Sequence, residues 1–364
     1  MGEQEKPAPN PFWRTIRKMF FAMNVVCFIP VILTALAPII SPTVNWLPAF
    51  FSLWVEYIVL IPILWIIGWM IFVKWKVTVL NLLILTSLIP QMKHFFRWGG
   101  ALKGSANDFT VISYNMDACD YKFKNLQPIV QALQLHKPDI VILQEYFDMK
   151  NPKYSREILS KELNLPYTAY CELMQDYGLF ILSKFPILDS GAVTSTKNRP
   201  QNGIQFADIK LFGETLRIYN AHLESYNFAL DQRRAIESTE NQEHISFRLG
   251  WDITKRMSST WKKQMEQAQL LNYHRDSSLT TSTIVAGDLN NPPYNYIYHK
   301  VRGELQDAFL ERGVGRSPTY SNAIGAFRID YVLPSNNLTV VDYQTITSGT
   351  TEHQGVLTKL RFKK

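Results

Sequence analysis

From Met19 to Val55 the chain carries no charged side chain. Few solvents accept such a stretch. It must either fill a large core or sit in hydrocarbon, which about 20 apolar residues suffice to cross. Met19 to Ile40 is long enough for a first span and follows Arg14, Arg17 and Lys18. Ser41 to Pro48 is an uncharged, proline-containing loop. Ala49 to Val73 reads as a second span, interrupted only by Glu56 and Pro62 and closed by Lys74-Trp75-Lys76. Charge and an aromatic anchor at that end suit a bilayer interface. Val77 to Ile89 is a third, shorter apolar run, which spans if extended into Pro90-Gln91-Met92 or if the lipid thins locally. Ala35-Leu36-Ala37 resembles a signal-peptidase site, so cleavage is the competing reading. The hydrophobic sequence beyond it favours retained spans. Residues 1–18 are expected to be a disordered cytoplasmic lead, and 19–98 a membrane region with two to three transmembrane helices.

The basic clusters before span one and after span two fall on one side, with a charge-free loop between them. By the positive-inside rule both are cytoplasmic. Three spans then place the large domain outside the cytoplasm, in the periplasm if the membrane is a bacterial inner membrane. A third run lying on the surface would leave that domain in the cytoplasm, as Lys93, Arg97 and Lys103 mildly favour.

The charge of the remainder bears on its partners. Residues 1–100 hold eight Lys/Arg and three Asp/Glu of the chain's 38 and 31, leaving 30 and 28, a net of +2, for residues 101–364. A nucleic-acid binder should show a strongly basic domain, so nucleic acid is not the favoured partner. Cys27, Cys119 and Cys171 have no spacing that suggests zinc or a disulfide framework; a Cys119–Cys171 bridge stays open, and free thiols are the favoured reading.

Residues 99–364 change character, to short β-type runs separated by turns and helices. Several runs alternate apolar with polar, as strands buried on one side do, so stacked sheets flanked by helices are expected. Polar residues recur where these runs end: Asn115, Glu145, Asn220 and His222, Asp288 and Asn290, Asp330, and Glu352-His353. Strand ends on a rigid sheet are where sites are built. In Thr283 to Asn291, an apolar run enters Gly-Asp-Leu-Asn. Two residues apart on an extended backbone, Asp288 and Asn290 point the same way. A carboxylate and an amide in one cleft suit hydrated Mg²⁺ and a phosphate oxygen. Asp and Asn that merely cap a turn would look the same.

The order of motifs is more specific. Tyr-Asn-Met-Asp, Leu-Gln-Glu, Ser183-Lys184-Phe185-Pro186-Ile187, Asn-Ala-His-Leu, Gly-Asp-Leu-Asn, Arg328-Ile329-Asp330-Tyr331-Val332 and a C-terminal histidine resemble the endonuclease/exonuclease/phosphatase superfamily over residues 107–364. That resemblance implies an α/β fold, a four-layer αββα sandwich of two face-to-face sheets with helices outside, here preceded by the transmembrane helical region. It implies Glu145 as Mg²⁺ ligand with help from Asn115, Mn²⁺ being a substitute. His353 becomes the general base, held by Asp330. Asp288 orients the attacking water, while Asn290 and His222 contact the phosphate. Asp117 matches an acidic residue of some nuclease members that touches a second metal or its waters. The family usually ends in Ser-Asp-His, whereas this chain has Thr351-Glu352-His353, whose longer carboxylate puts a second-metal role for Glu352 in doubt.

Met257, Trp261, Met265 and Ala268 stand at helical spacing, the stripe of an outer helix packed on a sheet. Tyr226 to Trp251, with Arg233, Arg234, His244 and Arg248, reads as a cap over the cleft or a surface for headgroups. The expected function is a membrane-tethered phosphoester hydrolase that cleaves a lipid headgroup or small phosphodiester by in-line water attack. A nuclease of the same mechanism is the alternative, and a catalytically dead membrane-anchored binding module a third reading.

Overall fold

The computed structural model describes residues 11–72, 74–117, 126–148, 155–193, 202–226, 242–322 and 325–363, with the backbone alone at 242–254 and 322. Residues 1–10, Cys119, Arg233 and Arg234, and the side chains of His244, Arg248 and Trp251, lie outside that description. The chain forms two compact units, Met1–Met92 and Lys93–Lys364. Arg97–Trp98 pairs as a short antiparallel strand with Val314–Gly315 of the second unit.

In the first unit, helix α1 (Pro11–Leu36) takes in residues 11–18, which were expected to be part of a disordered lead. Nothing in Phe12 to Lys18 breaks a helix, and the described chain is helical from Pro11 on. The second apolar run is not one helix. It divides into α2 (Leu47–Ser52), α3 (Val55–Ile58) and α4 (Leu60–Ile71). Pro62 has no N–H to offer Ile58, the acceptor four residues back, and the hydrogen-bond pattern lapses at the single residue Val59. The Val59 backbone stays right-handed helical, so Val55–Ile71 continues as one apolar helix with a local fault. The third run forms α5 (Trp75–Thr86) and the single turn α6 (Ile89–Met92). At 12 residues α5 rises about 18 Å, short of a bilayer's hydrocarbon thickness. Among the described residues, only α1 is by itself long and apolar enough to cross a membrane. Asn24, Asn81 and Trp69 are buried between α1, α4 and α5. Asn24 and Asn81 exchange amide hydrogen bonds of 3.2 and 3.3 Å, and the Trp69 indole donates to Asn24 Oδ1 at 2.8 Å.

The second unit is built on two sheets. The six-stranded sheet contains β1 (Phe109–Asn115), β2 (Ile140–Phe147), β3 (Tyr167–Met174), β4 (Tyr177–Ser183) and, near the C-terminus, Leu338–Ile346 and Gly355–Phe362. The five-stranded sheet contains β5 (Ile187–Ala192), β6 (Gly203–Leu211), β7 (Glu214–His222), β8 (Ser282–Asp288) and β9 (Asp330–Pro334). The C-terminal pair are β10 and β11, and the sheet orders are β10-β11-β1-β2-β4-β3 and β9-β8-β7-β6-β5.

Alternate residues sort the layers. Phe109, Val111, Ile140, Ile142 and Ile181 join Ala207, Ile218, Ile284 and Val332 of the other sheet in one apolar core. The intervening Ile112, Tyr114, Val141, Leu143 and Phe180 face the opposite way, onto helices α7 (Gln127–Leu135) and α8 (Arg156–Leu163). The long helix α9 (Gln242–Asp276) buries Met257, Trp261, Met265 and Ala268, the stripe read as an outer helix. Four layers result, as expected. The central strands β1, β4 and β8 are buried along their whole length, unlike the half-exposed strands that alternation implied. Helices and the facing sheet cover both of their sides.

Candidate active site

Register places the site. Asp288 ends β8, and its Cα partners are His222 on parallel β7 and Asp330 on antiparallel β9. Three functional side chains therefore stand level on three adjacent strands. Across the sandwich, Asn115 ends β1 beside Gln144 of β2. The sheets are tied at this edge by hydrogen bonds from Gln144 Nε2 to Asn220 Oδ1 at 2.8 Å and from Asn220 Nδ2 to the Leu143 carbonyl at 2.9 Å. Asn220, one of the strand-end residues, thus serves the scaffold.

Local backbone irregularities aim the side chains. The register between β2 and β4 shifts between Leu143 and Tyr146, and Glu145 within that bulge has φ +51°. A bulge of this kind re-aims a side chain, and here the Glu145 carboxylate lies 3.3 Å from Asn115 Nδ2 and 3.5 Å from His222 Nε2. Gly287 has φ +134°, and a Cβ there would collide with the Ala221 carbonyl oxygen. Only glycine lets β8 run this close to β7 just before Asp288. Asn290 also adopts a left-handed φ of +50°, which turns its backbone N–H onto Asp288 Oδ1 at 2.7 Å and its amide onto the Leu223 carbonyl at 2.9 Å.

Asp288 is the hub. Its Oδ2 accepts from Asn115 Nδ2 at 3.0 Å and lies 3.9 Å from both His222 Nε2 and His353 Nε2. His353 donates from Nδ1 to Asp330 Oδ2 at 3.2 Å, and the Tyr320 ring lies 4.8 Å from its imidazole. Thr319 Oγ1 accepts from the N–H groups of Ile329 and Asp330 at 3.0 and 2.9 Å, fixing the start of β9. Behind it, Arg328 binds both oxygens of Asp307 and Tyr298 donates to the same carboxylate at 2.6 Å. Burial alone would raise the Asp307 pKa, but the Arg328 charge and these donors hold it below its usual value.

The electrostatics of the hub are strained in a consistent direction. Burial, then the neighbouring Asp330 charge, pushes the Asp288 pKa up to about 6 against the pull of His353 and His222. Burial would lower the His353 pKa, but the Asp330 charge and hydrogen bond, followed by Asp288 and Glu145, raise it to about 10. Excess negative charge is gathered in a dry place. Ligand atoms of Asp288, Asp330 and His353 lie within 4.8 Å of one another, a buried acid–histidine cluster compatible with a divalent cation.

The structure therefore brings Asn115, Glu145, His222, Asp288, Asn290, Asp330 and His353 together. Asn115 faces Glu145 with its amide nitrogen, its oxygen accepting from the Asp117 N–H at 2.9 Å. Asp117 itself has φ +57°. Glu352 is exposed, and its carbonyl accepts from the Ser321 N–H at 3.0 Å. Sequence reasoning missed Thr319, Tyr320 and the Asp307–Arg328–Tyr298 network. Asp307 before Ala-Phe-Leu had a usable signal, that of a helix N-cap. Thr319 and Tyr320 lie in and beside a three-residue strand, too short to show periodicity.

The profile of the Endonuclease/Exonuclease/phosphatase family matches residues 112–353, well over half of the chain. The chain belongs to that family. It is accordingly a phosphoester hydrolase, and the site lies where the family motifs of this sequence converge. Residues 17–95 match a second profile, a domain of unknown function (DUF8431). No curated protein matches the chain in sequence. Similar solved structures include an endonuclease/exonuclease/phosphatase from Beutenbergia cavernae, at 16% identity and TM-score 0.48, covering 70% of this chain and 72% of that one. TDP2 of D. rerio complexed with single strand DNA product has 17% identity and TM-score 0.49 over 70% and 99%. Sphingomyelinase C from Streptomyces griseocarneus has 15% identity and TM-score 0.44 over 69% and 99%.

Proposed function

We propose that the chain is a membrane-tethered, Mg²⁺-dependent phosphodiesterase acting on a lipid headgroup or small phosphodiester, with Mn²⁺ as a substitute. The observation that carries the reading is the Asp330–His353 pair set beside Asp288 and Glu145 at one edge of the sandwich. Glu145, half-buried and facing the cluster, would anchor the cation. Asn115, whose amide nitrogen donates to Glu145 and Asp288, orients both carboxylates rather than ligating in this geometry. When bound, the cation supplies neutralisation of a phosphate oxygen and of the leaving oxygen, and its charge draws the His353 pKa down toward neutrality.

His353 Nε2 takes the proton of the attacking water. Its 3.9 Å separation from Asp288 Oδ2 is a gap that one water, hydrogen-bonded to both, can bridge. Asp330 fixes the tautomer with the proton on Nδ1 and stabilises the imidazolium that forms. His222 and Asn290 stand beside this hub as the phosphate contacts. Asp117 lies next to Asn115, where a second cation's waters would reach it. Glu352, exposed here, adds no ligand to the cluster.

The membrane assignment rests on α1 and on the charge-free sequence after it. The positive-inside pattern puts the ends of the first two runs in the cytoplasm, and an inner-membrane protein with its catalytic domain in the periplasm follows if α5 and α6 together complete a third span. A fusion of alkaline phosphatase after residue 101 should be active. An inactive fusion would place the domain in the cytoplasm.

Turnover of bis-p-nitrophenyl phosphate tests the chemistry. His353→Ala should lower it about 10²- to 10⁴-fold, the range for a lost general base. A variant that keeps most of the activity would remove His353 from the mechanism. Nuclease action on the same site would show binding that weakens steeply with salt, whereas lipid cleavage would not.

A further inference from the structure

We propose that the ribbon Arg97–Trp98/Val314–Gly315 is a docking surface for the headgroup layer of an anionic bilayer. Trp98 is 87% exposed and Val314 66%, and the two are cross-strand partners, so their side chains stand together on one face. Phe96, also exposed, packs against Trp98 with ring centroids 4.7 Å apart. Large aromatics held in water on a well-formed strand call for a partner with apolar depth.

Charge identifies that partner. Lys93, Lys103 and Arg316 are exposed in the segments that form the ribbon, whereas Arg97, opposite Gly315, alternates to its other face, Arg312 donates to the Val340 carbonyl, and Glu311 is the nearest acid in sequence. Basic residues around tryptophan suit an interface where indoles sit at headgroup depth above anionic lipid. The ribbon is also firmly built. The Gly99 N–H donates to the Gly313 carbonyl at 2.7 Å, and the Arg316 guanidinium lies 4.3 Å from the Phe95 ring centroid. A Cβ at Gly99 would collide with the Gly313 carbonyl oxygen, so glycine is needed for the closure.

The inference rests on the membrane reading proposed above, because chain length then limits where the ribbon can go. Trp98 lies six chain steps beyond Met92, the end of the apolar unit, a reach of about 20 Å. The second strand of the ribbon runs on through Ser317 to Thr319 and Tyr320, which buttress Asp330 and His353. Docking would hold that wall of the site near the headgroups, and it selects an interfacial phosphodiester over a freely soluble one as the substrate class.

The test uses the full chain carrying fluorotryptophan, reconstituted into phosphatidylcholine vesicles with or without phosphatidylglycerol. The fluorine resonance absent from Trp98→Phe is that of Trp98. A spin-labelled lipid with its label next to the headgroup should broaden that resonance until most of its intensity is lost, more completely when phosphatidylglycerol is present. Lys93→Gln combined with Arg316→Gln should recover most of the lost intensity. Broadening of Trp98 by a soluble paramagnetic chelate and not by the lipid, while Trp65 and Trp69 respond to lipid labels, would overturn docking and leave the membrane reading standing. Protection of Trp98 from both agents would point to a protein contact and equally overturn it. If no tryptophan responded to lipid labels, the membrane reading would fall and docking with it.

Discussion

The two units of this chain differ less in their apolar cores, which Met1–Met92 also has around Phe28, Val31, Ile58 and Leu88, than in where polar groups are buried and what is exposed. In Lys93–Lys364 the space between the sheets is mostly apolar, crossed by Gln205 on the Ala169 carbonyl, and polar groups collect at the strand ends. In Met1–Met92 the buried set includes Asn24, Thr34, Ser52, Asn81 and Gln91, while Val25, Val26, Ile29 and Ile32 are exposed. The first arrangement suits water. The second is the arrangement expected under the membrane reading proposed above, since in an apolar solvent amides gain by facing each other and aliphatic side chains lose nothing by facing out. The contrast teaches that burial has to be read against the medium, and it supports the membrane reading more than helix length does. On length alone, only α1 qualifies among the described residues.

If the units are built for different media, damage to one should leave the other working. Asp330→Asn should have the largest effect. The Asp330 charge raises the His353 pKa against burial, so its loss should move the acid limb of the rate profile to lower pH. Loss of imidazolium stabilisation should at the same time cut the maximum rate about 10²- to 10⁴-fold. The pH–rate profile for bis-p-nitrophenyl phosphate reads both effects, and membrane retention of the variant should be unchanged. An acid limb left in place would separate Asp330 from His353.

Gly287→Ala should cost the catalytic unit about 3 kcal/mol, from strain at φ +134° and the clash with Ala221. Thermal unfolding would show a lower midpoint for that unit. An unchanged midpoint would mean that β7 and β8 are free to separate. Asn81→Leu should have the smallest effect, about 0.6–1.7 kcal/mol in helix association, by removing one member of the Asn24–Asn81–Trp69 set. Steric-trap or detergent unfolding can resolve it, with phosphodiester turnover in mild detergent unchanged. A variant that gained stability would show that the amides serve something other than helix packing.

The catalytic unit was the more legible in sequence for a physical reason. Its strands are short apolar runs that stop at polar residues, so Asn115, Glu145, His222, Asp288 and Asp330 announce themselves by position. What did not announce itself depends on contacts distant in sequence. Thr319 matters because it caps β9 from another element, and Arg328 because Asp307 and Tyr298 enclose it. The orientation of Asn115 was equally hidden, since the Asp117 N–H that claims its oxygen depends on a left-handed residue. In the apolar unit, hydropathy gave the extent of each run but not its continuity. Pro62 was noted as an interruption, yet whether a proline kinks a helix or ends it is decided by the backbone around it.

The central claim is that a cation held at Glu145 serves the chemistry of His353. Its most direct test is a Mg²⁺ titration of turnover by the chelator-treated full chain, run in parallel on Glu145→Gln. The wild type should be inactive without added cation and should regain activity as Mg²⁺ is supplied. Glu145→Gln should need a higher Mg²⁺ concentration and reach a lower maximum, because one anionic ligand is lost from a site with few. Turnover that survives chelation, or a titration midpoint that Glu145→Gln leaves in place, would contradict the account.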